Sequence, residues 1–147
     1  MLVSHILKSK GSEGVVTTPP GVSVAQAAEI LSSRKIGALV ISKDGKTLGG
    51  IVSERDIVRE IGRRGSACLN DTVDSIMTAR VVTCALGDQT DAVLQKMTDG
   101  RFRHIPVVEG NQLVGLISIG DVVNWIMHAQ RHAIKQLTGY ISGQYQA

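Results

Sequence analysis

The chain has 147 residues, a formal net charge of +3 at pH 7 and only 3% aromatic residues. This length predicts about one domain, and the mild positive charge suits a small anionic ligand. Nucleic-acid binding is disfavoured because the charge is weak and base stacking requires exposed aromatic side chains. There is no signal-peptide pattern or apolar run of membrane-spanning length, and Cys68 and Cys84 stand apart. We therefore expect a cytoplasmic protein with two reduced thiols and no membrane contact.

In chain order, the first half predicts a short helical lead-in followed by the order β-α-β-β-α. A brief strand is expected at Val15–Thr17. An amphipathic helix then begins near Ser23, whose pairing with Gln26 predicts a capping box. Two apolar runs, 38–42 and 48–52, are separated by the turn sequence KDGK and predict a strand pair. The second of these strands leads directly into another amphipathic helix.

The second half predicts the same order after the Gly-rich polar linker Gly62–Thr72. A brief strand is expected at Val81–Thr83, and Asp88 with Asp91 is expected to cap the helix that follows. The sequence EGNQ separates two further apolar runs, which predict strands at 105–108 and 113–117. As in the first half, the last strand leads into a helix.

The two halves are copies of one pattern. GGIVSERDIV, at 49–58, recurs 65 residues later as VGLISIGDVV, and the lead-in VSHIL recurs as VDSIM. Each half alone would expose one apolar sheet face, so we predict that both pack together. The expected fold class is α+β or α/β, with two β-α-β-β-α repeats packed sheet to sheet in pseudo-two-fold symmetry. We place the first repeat with its lead-in and linker at 1–70, the second repeat at 71–128, and a helix extension and tail at 129–147.

The last helix is expected to continue beyond its repeat, because apolar residues recur at helical spacing after Val123. They include Ile126, Met127, Ile134 and Leu137. This apolar stripe has two interpretations, either a contact between subunits or packing against its own domain.

A Ser-x-x-Asp motif begins the last helix of each repeat, as Ser53 with Asp56 and Ser118 with Asp121. Taken alone, such a motif is typical of a helix N-terminal cap. Three features of its surroundings favour a ligand site. The motif recurs while its intervening residues differ, glycine precedes it in both strands, and basic residues lie just ahead of the first central strand of each repeat. A carboxylate suits the vicinal hydroxyls of ribose, and serine and basic groups suit phosphate, so the residues indicate nucleotide binding without reaction.

The two halves resemble the tandem CBS (cystathionine-β-synthase) domain pair over nearly the whole chain. The matching motifs are LGGIVSERDIV, LVGLISIGDVV, RHIPVV and IMT. The resemblance implies a stand-alone, non-enzymatic regulatory module with two clefts between its repeats. It implies binding of AMP or another adenine nucleotide (ADP, ATP or NAD(H)), and so a sensor of energy or redox state. It also implies a homodimer of modules that acts on an unknown effector protein.

The same resemblance implies roles for individual residues. Asp56 and Asp121 would hold ribose, Ser53 and Ser118 would lie near phosphate, Thr17 and Thr83 would border the base or ribose, and Ala38 and Ile105 would meet the purine through their backbone. Arg55, Arg103 and His104 would contact phosphate, and Lys35, Gly37 and Pro106 complete the expected nucleotide-binding set. The first repeat has KIGALV in place of RHIPVV, and Gly120 stands where the first repeat has Arg55. We therefore expect two unequal clefts.

Three other interpretations follow from the residues. Enzymatic activity is disfavoured because the chain lacks phosphate-loop, dinucleotide-binding and nucleophile-elbow motifs. His128 and His132 have the spacing of metal ligands on a helix, but no third ligand is evident and no metal is expected. The alternatives to nucleotide sensing are a structural or partner-binding dimer with vestigial clefts, and a binder of S-adenosylmethionine.

Overall fold

The computed structural model describes residues 1–11 and 14–143 and contains two similar halves. The first half comprises α1 (Val3–Ser9), β1 (Thr17–Thr18), α2 (Val24–Arg34), β2 (Ala38–Ile41), β3 (Gly50–Ser53) and α3 (Glu54–Arg64). Two short 3₁₀ helices follow, at Ser66–Asn70 and Val73–Ser75. The second half comprises α4 (Thr90–Gly100), β4 (His104–Glu109), β5 (Gln112–Ser118) and α5 (Ile119–Ile141). The predicted fold class of two related α+β repeats is confirmed.

The sheets follow the predicted hairpins, but the brief first strands differ from the prediction. β2 lies between β1, which is parallel to it, and β3, which is antiparallel. In the second half β4 and β5 form an antiparallel pair. The strand predicted at Val81–Thr83 is reduced to one bridging residue, Cys84, which is hydrogen-bonded to Pro106 and Val108. In the first half the strand lies at Thr17–Thr18, because Thr17 and Thr18 pair with Val40 and Ile41.

Helix starts show which predicted caps form. The box of Ser23 with Gln26 is present, as are those of Ser53 and Ser118. The predicted cap of Asp88 with Asp91 is wrong. The Asp88 carboxylate instead accepts from the backbone N–H of Ala85 at 2.9 Å. The first N–H of α4, that of Thr90, is satisfied by the carbonyl of Met1 from the other half, also at 2.9 Å.

Each half completes the hydrophobic core of the other through its lead-in segment. Val3 and Ile6 of α1 are buried in the core formed by the second half, and Val73 is buried in the core of the first half. The expected single core shared by the strands of both repeats is not present among the described residues, whose buried hydrophobic side chains form two clusters, one in each half. The halves are interlocked by the exchange of lead-ins, which places each lead-in beside the Ser-x-x-Asp motif of the opposite repeat.

The last helix continues beyond its repeat, as predicted. α5 is 23 residues long and buries Val122 near its start, with Trp125 and Ile126 packed against the core of the second half. Further along, the apolar side chains of Ile134 and Leu137 are more than half exposed, at 64% and 61%. Its C-terminal part therefore does not fold back onto the described residues.

Candidate functional site

Two clefts lie between the halves, and we name each after the aspartate at its helix start. The Asp56 cleft has a volume of about 520 Å³, and the Asp121 cleft about 440 Å³. Gly37, Ala38 and His104 line both. The clefts are therefore neighbours that meet where the strands β2 and β4 begin.

In the Asp56 cleft, the Ser-x-x-Asp motif lies at the N-terminus of α3. The Asp56 carboxylate accepts hydrogen bonds from the Ser53 N–H at 2.8 Å and from the Ser53 hydroxyl at 3.1 Å, both through Oδ2. Arg59 Nη1 lies 3.6 Å from the other oxygen, Oδ1. The motif is thus a helix N-terminal cap. The Oδ1 atom of Asp56 faces the Arg59 guanidinium at a distance too long for a hydrogen bond.

The opposite wall of the Asp56 cleft comes from the second repeat and is strongly basic. It comprises the turn before β4 (Gly100, Arg101, Phe102, Arg103 and His104) and the segment after the second lead-in (Thr78, Arg80, Val81 and Val82). Arg55 and Arg59 add positive charge from α3, and Glu54 is the one further acid that lines it among the described residues. This cleft combines cations, an apolar wall and a helix N-terminus, which together suit an anion attached to a flat ring.

In the Asp121 cleft, the corresponding aspartate already has a charged partner. Asp121 Oδ2 accepts from the Ser118 N–H at 2.9 Å and from Lys10 Nζ at 2.8 Å. Burial would raise the pKa of Asp121, but the hydrogen bonds from Lys10 and Ser118 outweigh it, so the pKa lies below its usual value. Asp121 is therefore ionised at neutral pH.

The opposite wall of the Asp121 cleft comes from the first repeat. It includes Val15 and Val16 before β1, and Lys35 and Ile36 before β2. Lys35 ends α2 in the left-handed conformation, with φ of 54°. Arg101 ends α4 in the same way, with φ of 57°, beside the Asp56 cleft. Both halves thus hold a basic residue at a cleft edge in a conformation that ordinarily favours glycine.

His104 occupies the junction of the two clefts. A Cβ atom at Gly37 would lie only 3.0 Å from the His104 ring, so glycine is what allows β2 and this imidazole to approach. Burial lowers the pKa of His104, although the carboxylates of Asp121 and Glu54 partly oppose that shift. The imidazole is consequently neutral at pH 7 in the unliganded protein.

The glycines that precede the motif make room for the lead-ins. A Cβ at Gly50 would collide with the Met77 side chain, and one at Gly115 would lie 2.7 Å from Leu7. Leu7 and Met77 occupy matching positions in the two lead-ins. The close approach that these glycines indicate is made by the exchanged lead-in side chains, and Gly115 also lines the Asp121 cleft.

The structure brings most of the expected nucleotide-binding residues to the clefts. Those that line a cleft are Lys35, Gly37, Ala38, Ser53, Arg55, Asp56, Arg103, His104, Ser118 and Asp121. Thr17, Thr83, Ile105 and Pro106 line neither cleft. Ile105 is fully buried in the second core, and the valines just before the two threonines take the wall positions instead.

Sequence reasoning missed several cleft residues, notably Lys10, Arg80 and Phe102. Lys10 and Arg80 stand at matching places after the two lead-in motifs, 70 residues apart. The repetition of a basic residue at this place is the sequence signal that could have identified Lys10 and Arg80 as cleft residues. Phe102 was not distinguishable by composition, because a single phenylalanine is more often a core residue.

Within residues 1–11 and 14–143, no cluster of three or more His, Cys, Asp or Glu side chains is arranged to hold a metal ion. Among the same residues, none of the helices has the length and apolarity needed to cross a membrane. Cys68 and Cys84 are both buried free thiols, and burial raises the pKa of Cys84 to about 11.

Comparison with known proteins gives a consistent family. The model of the CBS domain matches residues 3–63 and again 73–128. The chain is 35% identical over 152 residues to the CBS domain-containing protein CBSX3, mitochondrial, of Arabidopsis thaliana, covering 97% of this chain and 73% of that protein.

Solved structures of similar fold extend the comparison. The CBS-domain containing protein ATU1752 of Agrobacterium tumefaciens has a TM-score of 0.80 and 44% identity, with 84% of this chain and 98% of that chain covered. The CBS domain pair of MJ0100, in complex with 5′-methylthioadenosine and S-adenosyl-L-methionine, has a TM-score of 0.76 and 27% identity, covering 88% and 98%. PAE2072 of Pyrobaculum aerophilum, complexed with AMP, has a TM-score of 0.71 and 27% identity, covering 82% and 89%.

Proposed function

This chain belongs to the CBS domain family, and we propose that it is a non-enzymatic regulatory module whose clefts bind an adenine nucleotide, AMP in particular. The observation that carries the proposal is the paired construction of the clefts. In each, the Ser-x-x-Asp helix start of one repeat faces the basic strand start of the other. The two structures complexed with adenosine-containing ligands support this ligand class.

We assign the parts of the nucleotide by chemistry. The ribose diol donates to Asp56 or Asp121, because an ionised carboxylate is the strongest acceptor available to two vicinal hydroxyls. The base lies against the apolar wall, which is Val81 and Val82 in one cleft and Val15 and Val16 in the other. The backbone of β2 and β4 near Ala38 and His104 forms hydrogen bonds with the polar edge of the base.

Phosphate is the reason to prefer AMP over adenosine. Arg55, Arg80 and Arg103 line the Asp56 cleft, and none of the three forms an ion pair among the described residues. A phosphate supplies an anionic partner at the N-terminus of α3, where the positive end of the helix dipole also favours an anion. AMP affinity should therefore exceed adenosine affinity and fall as salt rises. ADP, ATP and NAD(H) share these groups and are the other candidates.

S-adenosylmethionine is the second candidate, favoured by one feature. Glu54 lines the Asp56 cleft beside the ribose-facing aspartate, so a cationic sulfonium would also find a carboxylate there. The complex of MJ0100 supports the same class. Competition between AMP and S-adenosylmethionine in one titration separates the two candidates, because the preferred ligand displaces the other.

We propose further that the module is a homodimer that contacts its partner through α5. Exposed apolar residues recur along this helix at steps of four, seven, three and four, which fit a coiled-coil seam with the polar Gln130 at one seam position. The seam comprises Val123, Met127, Ile134, Leu137 and Ile141, each at least 42% exposed. Leu137→Glu should convert the dimer to a monomer in sedimentation velocity, whereas Lys135→Glu on the same helix, off the seam, should leave the dimer intact. A dimer that survives Leu137→Glu would remove α5 from the interface.

The compartment proposed is the cytoplasm, supported by the two buried free thiols. A protein that regulates through nucleotide binding acts on an effector, and co-purification with and without AMP is the direct way to identify it.

Ligand-dependent thermal stability tests the main proposal. A nucleotide at one hundred times its Kd stabilises a native state that alone binds it by about 2.7 kcal/mol. The wild type should show this shift with AMP, and the double variant Asp56→Ala/Asp121→Ala should lose it. If AMP, ADP, ATP, NAD(H) and S-adenosylmethionine all fail to stabilise the wild type, the clefts are vestigial and a structural or partner-binding dimer is the better description.

A further inference from the structure

The two clefts differ in the ion pair that their aspartates form, and Lys10 is the partner in the Asp121 cleft. This lysine lies at the end of α1, which the first half contributes to the second core. Its ammonium donates to Asp121 Oδ2 at 2.8 Å and to the backbone carbonyl of Leu116, also at 2.8 Å. Lys10 thus pairs with the carboxylate to which a ribose diol would bind.

The Asp56 cleft has no equivalent contact among the described residues. Arg80 occupies the matching place after the second lead-in and lines that cleft, but the ion pair of Asp56 is with Arg59 on its own helix, at 3.6 Å. That distance is too long for a hydrogen bond. Asp56 is therefore open to a ligand hydroxyl from the cleft side.

The contact has a consequence for ligand choice. A ribose that binds Asp121 competes for this carboxylate with the Lys10 ammonium, whose side chain is 40% exposed and which also donates to the Leu116 carbonyl. A ligand phosphate offers the ammonium a new acceptor within the same cleft, on a flexible four-carbon side chain. Neutral adenosine offers none, so its ribose contact is formed only at the cost of the lysine contact.

We propose that Lys10 is the specificity-determining residue of the Asp121 cleft, which admits an adenosine ligand only when that ligand carries an anionic group. The Asp56 cleft accepts adenosine with or without phosphate, more weakly without it. This inference rests on the proposed function, since it concerns the same ligand class.

The test isolates the Asp121 cleft in an Asp56→Ala background. Calorimetric titrations of that protein with AMP and with adenosine give the ratio of the two affinities. Adding Lys10→Met should strengthen adenosine binding and weaken AMP binding, so that the AMP preference falls by roughly tenfold or more. Lys8→Met is the matched control, because Lys8 lies on the same exposed helix and lines neither cleft, and it should leave the ratio unchanged.

Lys10→Arg separates charge from packing. Because arginine keeps a cation that pairs with carboxylate or phosphate, it should retain the AMP preference, and a loss equal to that of Lys10→Met would overturn the inference. An unchanged AMP-to-adenosine ratio in Lys10→Met, in a protein whose thermal unfolding remains cooperative, would also overturn it while leaving the proposed function intact. If wild-type protein binds neither ligand, the proposed function fails and this inference fails with it.

Discussion

Asp56→Ala distinguishes a helix cap from a ligand contact, because the two roles predict different losses. In the unliganded protein the carboxylate accepts two hydrogen bonds from Ser53, at 2.8 and 3.1 Å. Their removal should lower the free energy of unfolding by about 1 kcal/mol, the usual cost of losing a cap. If the carboxylate also holds a ribose diol, AMP affinity at this cleft should fall by about 1.5–3 kcal/mol, or roughly 10- to 150-fold in Kd.

Two further variants sharpen the comparison. Asp56→Asn keeps a carbonyl acceptor for the Ser53 N–H, so its stability loss should be smaller, while the loss of charge still weakens ribose binding. Asp91→Ala removes an exposed acid from the first turn of α4, away from both clefts. It should cost about 0.3–1 kcal/mol of stability through the helix dipole and leave AMP affinity unchanged.

The assay is urea denaturation without ligand, together with calorimetric titration at a temperature where every variant is folded. An Asp56→Ala protein with the AMP affinity of wild type would refute the ribose assignment. Asp56 would then be a cap alone, and the ligand, if any, would have to be held by other groups.

Three other predictions concern residues outside this motif. Lys35→Gly should raise the free energy of unfolding by about 1 kcal/mol, because it relieves a left-handed conformation at a non-glycine residue. It should also weaken AMP binding, because it removes a cation that lines the Asp121 cleft. An equal or lower free energy of unfolding in urea denaturation would contradict the strain argument. Ile6→Ala should cost about 2–5 kcal/mol and destabilise the second half although Ile6 belongs to the lead-in of the first repeat, since it is 1% exposed within the second core. Hydrogen exchange should show the protection lost in residues 84–122. AMP affinity should rise as pH falls through the histidine range, because burial holds the pKa of free His104 below its usual value and a bound phosphate raises it, so binding takes up a proton. His104→Gln should flatten that part of the profile, and a profile identical to wild type would exclude His104 from the phosphate site.

The nucleotide-binding residues that could be predicted from the sequence are those whose contacts lie within a few positions along the chain. Ser53, Asp56, Ser118 and Asp121 are joined by hydrogen bonds across three residues, which a motif displays directly. We expected Thr17 to line a cleft, but Val15 and Val16 line it instead. Side chains alternate between the two faces of an extended segment, so an error of one position moves a side chain to the other face. Nothing local determines that alternation when the segment pairs over only two residues.

By itself, the sequence determined the repeated β-α-β-β-α order, the extended last helix and the caps at Ser23, Ser53 and Ser118, since hydrophobic period and capping geometry act within a few residues. Only the tertiary structure decided that each lead-in enters the opposite core, that Gly50 and Gly115 make room for those lead-ins, and that Lys10 meets Asp121. These contacts join groups that are not neighbours in the chain, and Lys10 and Asp121 are 111 positions apart. Their formation depends on how the two halves pack, because no local pattern records the distance between side chains that approach only after the cores have formed.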